Sequence, residues 1–174
     1  MNLSLRFGLW AGFLSMLYIS LLFVTDKILL IRGWENITWL IIFTIMIIAS
    51  IKMRDHSKKK FVSFKPLLQL NFRIFILAYL LKYILIIGMF NIDNELQTMV
   101  KEHELTMVRQ ELEKEFADQI KSQREENINR QIEEYESRGF GPTIMDLGLL
   151  IHLTGGFVLS AIVAGIIRRD EPEY

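Results

Sequence analysis

The chain has 174 residues, 51% of them hydrophobic, and 20 basic residues balance 20 acidic ones. A formal charge of zero supplies no field that would draw the chain onto nucleic acid. The absence of cysteine excludes a disulfide, a thiolate nucleophile and a Cys-based metal site.

The apolar residues are gathered into four runs, and a bilayer core about 30 Å thick needs ~20 such residues per helix. This pattern argues against a soluble globular domain, a disordered chain, and an outer-membrane barrel built from short alternating strands. The first run, 7–25, contains no Asp, Glu, Lys or Arg. Only Arg6 precedes it as a charge and no small-residue cleavage site follows, so it reads as a retained helix. Gly8 and Gly12 form a GxxxG with Ala11 and Ser15 beside them, a face that lets helices approach closely. In the 26–35 connection Lys27 and Arg32 are balanced by Asp26 and Glu35.

The second run, 36–52, spans only about 25 Å as a helix, so it stands nearly upright or borrows from its flanks. The 52–65 connection carries Lys52, Arg54, Lys58, Lys59, Lys60 and Lys65, and a short, basic loop is expected in the cytoplasm. Ser63 suits a cap and Pro66 a first turn for the third span, 67–90. That span holds Arg73 near its cytoplasmic entry, from where it can snorkel to head groups, and Lys82 deeper.

Residues 91–143 carry 7 basic and 13 acidic side chains, with no Gly or Pro from 89 to 138, and read as a helical insert. Apolar residues recur at Leu96, Val100, Leu105, Val108, Leu112, Phe116 and Ile120, then at Ile128, Ile132 and Tyr135. The stripe fits an arm packed on its own bundle, a docking surface for another protein, or a self-pairing coil, although sustained heptads are missing. One helix over this length would be about 70 Å long, so the segment bends or lies along the membrane plane. Asn91–Asn94 offers an exit cap, and Ser122–Asn129 a second break. Gly139-Phe-Gly-Pro142 then ends the insert before the fourth span, 144–167.

The fourth span carries Asp146 and His152, and Gly156, Ser160 and Ala164 repeat every four residues. This small-residue face is expected to meet that of Gly8 and Gly12. Arg6, the 52–65 loop, Arg168 and Arg169 all favour one side, which places both termini in the cytoplasm and 26–35 and 91–143 outside. Trp34 and Trp39 then fall at the outer interface and Trp10 near the inner one.

Charges within a membrane are functional-site hypotheses by default. Lys82 and Asp146 could form an ion pair that sets helix packing, or Lys82, Asp146 and His152 could relay a proton or ion. Lipid or ligand binding is the third reading. Enzyme signatures are missing. Lys101-Glu-His-Glu-Leu105 holds no HExxH, no Gly-rich phosphate loop occurs, and no GxSxG surrounds Ser15, Ser20, Ser50 or Ser160. Glu133, Glu134 and Glu136 read as a solvated face. No catalytic residue, cofactor or metal site is expected.

Four spans, a basic loop after the second, the entry motif Phe61-Val-Ser-Phe64 and a long charged insert before a small-residue-rich fourth span form a recognisable layout. The chain resembles the domain of unknown function 4199 (DUF4199) family of four-helix bacterial inner-membrane proteins over nearly its whole length. The resemblance implies an architecture and a bacterial inner-membrane location. It implies no activity or site residues.

The expectation is therefore an all-α polytopic membrane protein with four transmembrane helices and a long amphipathic extracytoplasmic insert. Its leading function is a non-enzymatic accessory or scaffolding role, with the insert contacting an envelope partner. The alternative is a small transport or ion-coupling protein using Lys82, Asp146 and His152. Membrane lipids, an envelope protein or a second copy are the expected partners, and nucleic acid is not.

Overall fold

The computed structural model describes residues 2–31, 33, 36–57, 61–118, 121–137 and 142–169, with the backbone alone at 31, 122, 135 and 142–149. Seven helices are described, in the order α1 Leu3–Thr25, α2 Lys27–Ile31, α3 Ile37–His56, α4 Phe64–Ile92, α5 Asn94–Glu115, α6 Lys121–Ser137 and α7 Pro142–Ile167. Among the described residues there is no strand, only an isolated antiparallel bridge between Val62 and Arg169. Four helices are long and apolar enough to cross a membrane: α1, α3, α4 and the Leu150–Ile167 part of α7.

Local chemistry explains the helix ends. Asn2 caps α1 through Ser4 N. Asp26 ends α1, and its carboxylate accepts from Ile28 N at 2.8 Å, which starts α2 inside what reads in sequence as a plain connection. Gly33 has φ +82°, a left-handed position that glycine adopts without a Cβ penalty. α4 begins directly after Ser63, and Asp93 separates it from α5 by accepting from Leu96 N at 3.0 Å.

The chain divides into two compact units, Met1–Met89 with Leu150–Tyr174, and Phe90–Leu149. In the first, the core is mostly apolar, but large apolar side chains also cover the outside and several polar side chains are buried. Leu17, Leu21, Leu40, Ile84, Leu150 and Ile166 are each more than half exposed, whereas Ser15, Thr38, Ser50, Asn71, Lys82 and Ser160 are buried. Helices apolar all round need apolar surroundings. Ser57 Oγ donates to Phe61 O, and Val62 and Arg169 exchange two backbone hydrogen bonds of 3.0 Å, so the chain after α7 returns to the loop after α3.

The small-residue faces pack differently from the expectation. A Cβ on Gly8 would meet Leu77, and one on Gly12 would meet Leu81, so the face of α1 lies against α4. A Cβ on Gly156 would overlap the ring of Phe75, also on α4. The third span, not the fourth, is therefore what the α1 glycines admit. The reason is that α4 presents long side chains to glycine on both sides, which fills each gap better than small residues facing small residues.

In the second unit α5 packs on α6. Leu96, Leu112 and Ile128 are buried, and Lys101 Nζ lies 3.5 Å from Glu136 Oε1. α5 ends at Glu115 and Phe116 N–H donates back to Leu112 O, so the break falls before Ser122–Asn129, which lies inside α6. The apolar stripe does not mark this position, because its lapse between Ile120 and Ile128 falls inside α6.

Candidate functional site

α3, α4 and α7 build an aromatic and cationic cluster inside the first unit. α4 supplies Phe75, Tyr79 and Tyr83 at spacings of four, which align them along one face, and Lys82 three residues after Tyr79. Phe75 and Tyr79 stack with centroids 5.7 Å apart, and Tyr79 and Tyr83 at 6.0 Å. α3 adds Trp39, 5.3 Å from Phe75. α7 adds His152, whose ring lies 5.7 Å from Trp39 and 5.3 Å from Tyr79. A Cβ at Gly155 would stand 3.3 Å from Trp39 Cη2, so a glycine here gives the indole room.

Lys82 is only 3% exposed. Its Nζ is 3.5 Å from Thr38 Oγ1 and 5.5 Å from the centroid of Tyr79, whose ring face attracts a cation. Two of the residues singled out in the sequence, Lys82 and His152, are thus brought to one cluster through Tyr79. The side chain of Asp146, the third, lies outside the described residues. Arg73 is exposed and lines a depression with Asn2, Ser4 and Gln69. Ser160 is buried and donates to Gly156 O at 2.7 Å, and Ala164 is fully buried.

The cluster members missed in the sequence are Thr38, Phe75 and Tyr79, and Trp39 serves the stack rather than only an interface. The aromatic ladder on α4 was the available signal, because Phe72, Phe75, Tyr79 and Tyr83 repeat at helical spacing beside Lys82. A second polar contact, Ser50 Oγ donating to Asn71 Oδ1 at 2.8 Å, joins α3 to α4 with both residues fully buried. A fully buried hydrogen bond of this kind ties the two helices together in one rotation.

In the hairpin, burial raises the Glu104 carboxyl above its ordinary value, partly offset by neighbouring His103. Its Oε2 is buried and has no hydrogen-bond partner among the described residues. A carboxyl raised in the folded state opposes folding when ionised, so this cost is present above the folded pKa and fades as pH falls through it. Amide exchange in 94–137, corrected for intrinsic rates, is expected to slow in the parent relative to Glu104→Gln as pH is lowered from 7 to the carboxylate range. An identical pH response in both would refute the assignment.

The family whose description reads Protein of unknown function (DUF4199) matches residues 6–169. No curated protein and no solved structure matches the chain.

Proposed function

We propose, for a chain that belongs to the DUF4199 family of proteins of unknown function, a non-enzymatic accessory or scaffolding role in the bacterial inner membrane. The four apolar helices insert with both termini cytoplasmic, and the α5–α6 hairpin contacts an envelope partner outside. The apolar exterior of the first unit supports insertion, since its outward leucines and isoleucines match acyl chains better than water. The basic loop 52–65 supports the orientation.

One observation carries the partner reading. The hairpin is a unit of its own in which α6 packs on α5, and it exposes charged residues such as Lys101, Arg109, Glu113, Lys114 and Arg130. A charged, solvent-exposed face of this kind suits electrostatic recognition of a partner. Replacing 95–136 by a short linker is expected to leave the four helices inserted and to abolish stoichiometric co-purification of a crosslinked companion from native membranes. A companion retained at the parent level would reject the hairpin as the contact.

A second reading is favoured by the cluster itself. Lys82, buried in an apolar unit, and His152, between two aromatic rings, are titratable groups of the kind that mark ion pathways. With Asp146 on the same helix as His152, they would serve ion coupling in an oligomer, because four helices alone leave little room for a pathway.

A further inference from the structure

We propose that the groove at the basic end of the four-helix unit seats the phosphodiester head group of an anionic phospholipid, with Arg73 as its charged contact. This rests on the membrane reading above. Two adjoining depressions, of 550 and 260 Å³, share Leu3, Met53 and Pro66. The larger is walled by Phe61 and Val62, and the smaller adds Asn2, Ser4, Gln69 and Arg73. Together they offer one groove with an apolar part and a polar part, which suits a molecule that has both.

The rim is ordered by named contacts. His56 Nδ1 lies 2.8 Å from Lys52 O, Lys52 Nζ stands 6.0 Å over the Phe7 ring, Ser57 Oγ donates to Phe61 O, and Val62 and Arg169 exchange backbone hydrogen bonds. Charge complementarity identifies the occupant. Arg6, Lys52, Arg54, Lys65, Arg73, Arg168 and Arg169 gather at this end, against Asp55 as the acidic residue among those described. Asp55 is itself engaged by Arg54 at 3.5 Å. The N-termini of α1 and α4 add their positive dipole ends.

The position of Arg73 selects a lipid over a free anion. It lies nine residues into α4, about 13 Å along the axis from Phe64. A dissolved phosphate would meet the lysines at the rim first. A head group tethered to acyl chains is held at the depth of Arg73, with its chains along the exposed apolar faces of α1 and α4. Among the described residues none makes an ion pair with Arg73, so its guanidinium remains available for a bidentate phosphate contact.

The test uses the full chain reconstituted in vesicles of phosphatidylcholine with phosphatidylglycerol, and native mass spectrometry of the retained lipid. A basic contact near the surface predicts enrichment of bound phosphatidylglycerol over the bulk ratio by about fivefold. Arg73→Gln is expected to lower it several-fold towards the bulk ratio, Arg73→Lys to keep part of it, and millimolar inorganic phosphate to leave it unchanged. Retention of both lipids at the bulk ratio by the parent overturns the proposal, whatever the variants do. Displacement by inorganic phosphate overturns the lipid as occupant. Failure of the parent to float with the vesicles would overturn the membrane reading itself.

Discussion

Gly156→Leu is expected to lower the thermal midpoint of the detergent-solubilised chain by roughly 10 °C, because overpacking of this kind costs about 1–3 kcal/mol or more. The Cβ alone would overlap the ring of Phe75. That ring has no retreat. It is fully buried, with Trp39 5.3 Å away and Tyr79 5.7 Å away. Gly8→Ala is expected to cost less, because the nearest atom there is the Cδ2 tip of Leu77, which can rotate. Phe75→Leu opens space beside Gly156, so adding it to Gly156→Ala should recover part of the loss, with a coupling of about 0.5–3 kcal/mol. An unchanged midpoint in Gly156→Leu would mean that α7 does not rest on Phe75.

On the ion-coupling reading, Lys82→Met is expected to leave the unit folded while bringing cation- or proton-driven flux in proteoliposomes down to that of empty vesicles. Methionine fills the space of the lysine stem and adapts to irregular packing. Replacing a buried cation by an apolar side chain of similar volume is often neutral or stabilising. A change of fold is therefore a small effect here and a change of function a large one. Parent-level flux in Lys82→Met rejects ion coupling through this residue, and leaves the charge as a packing device bonded to Thr38 and facing Tyr79. Flux absent from the parent rejects the transport reading altogether.

The sequence by itself determined the four apolar helices, the basic end, a boundary within Asn91–Asn94 and a lysine inside an apolar run. Each of these is local. Run length, the position of a cap and the charge of a loop depend on neighbouring residues and on the solvent they require. Tertiary structure alone decided which faces meet. The α1 glycines receive Leu77 and Leu81 of α4, and Gly156 receives Phe75, because a small residue is complemented by whatever long side chain a distant helix rotates towards it. The hairpin turns after Phe116, not at Ser122–Asn129, because a contact between distant residues, α6 packing back on α5, sets the break. His152 comes to rest between Trp39 and Tyr79 for the same reason. In these helices apolar residues occur on every side, so hydrophobic period cannot mark the inward face. Rotation about each axis is set by interdigitation and buried hydrogen bonds such as Ser50–Asn71, between residues far apart in the chain.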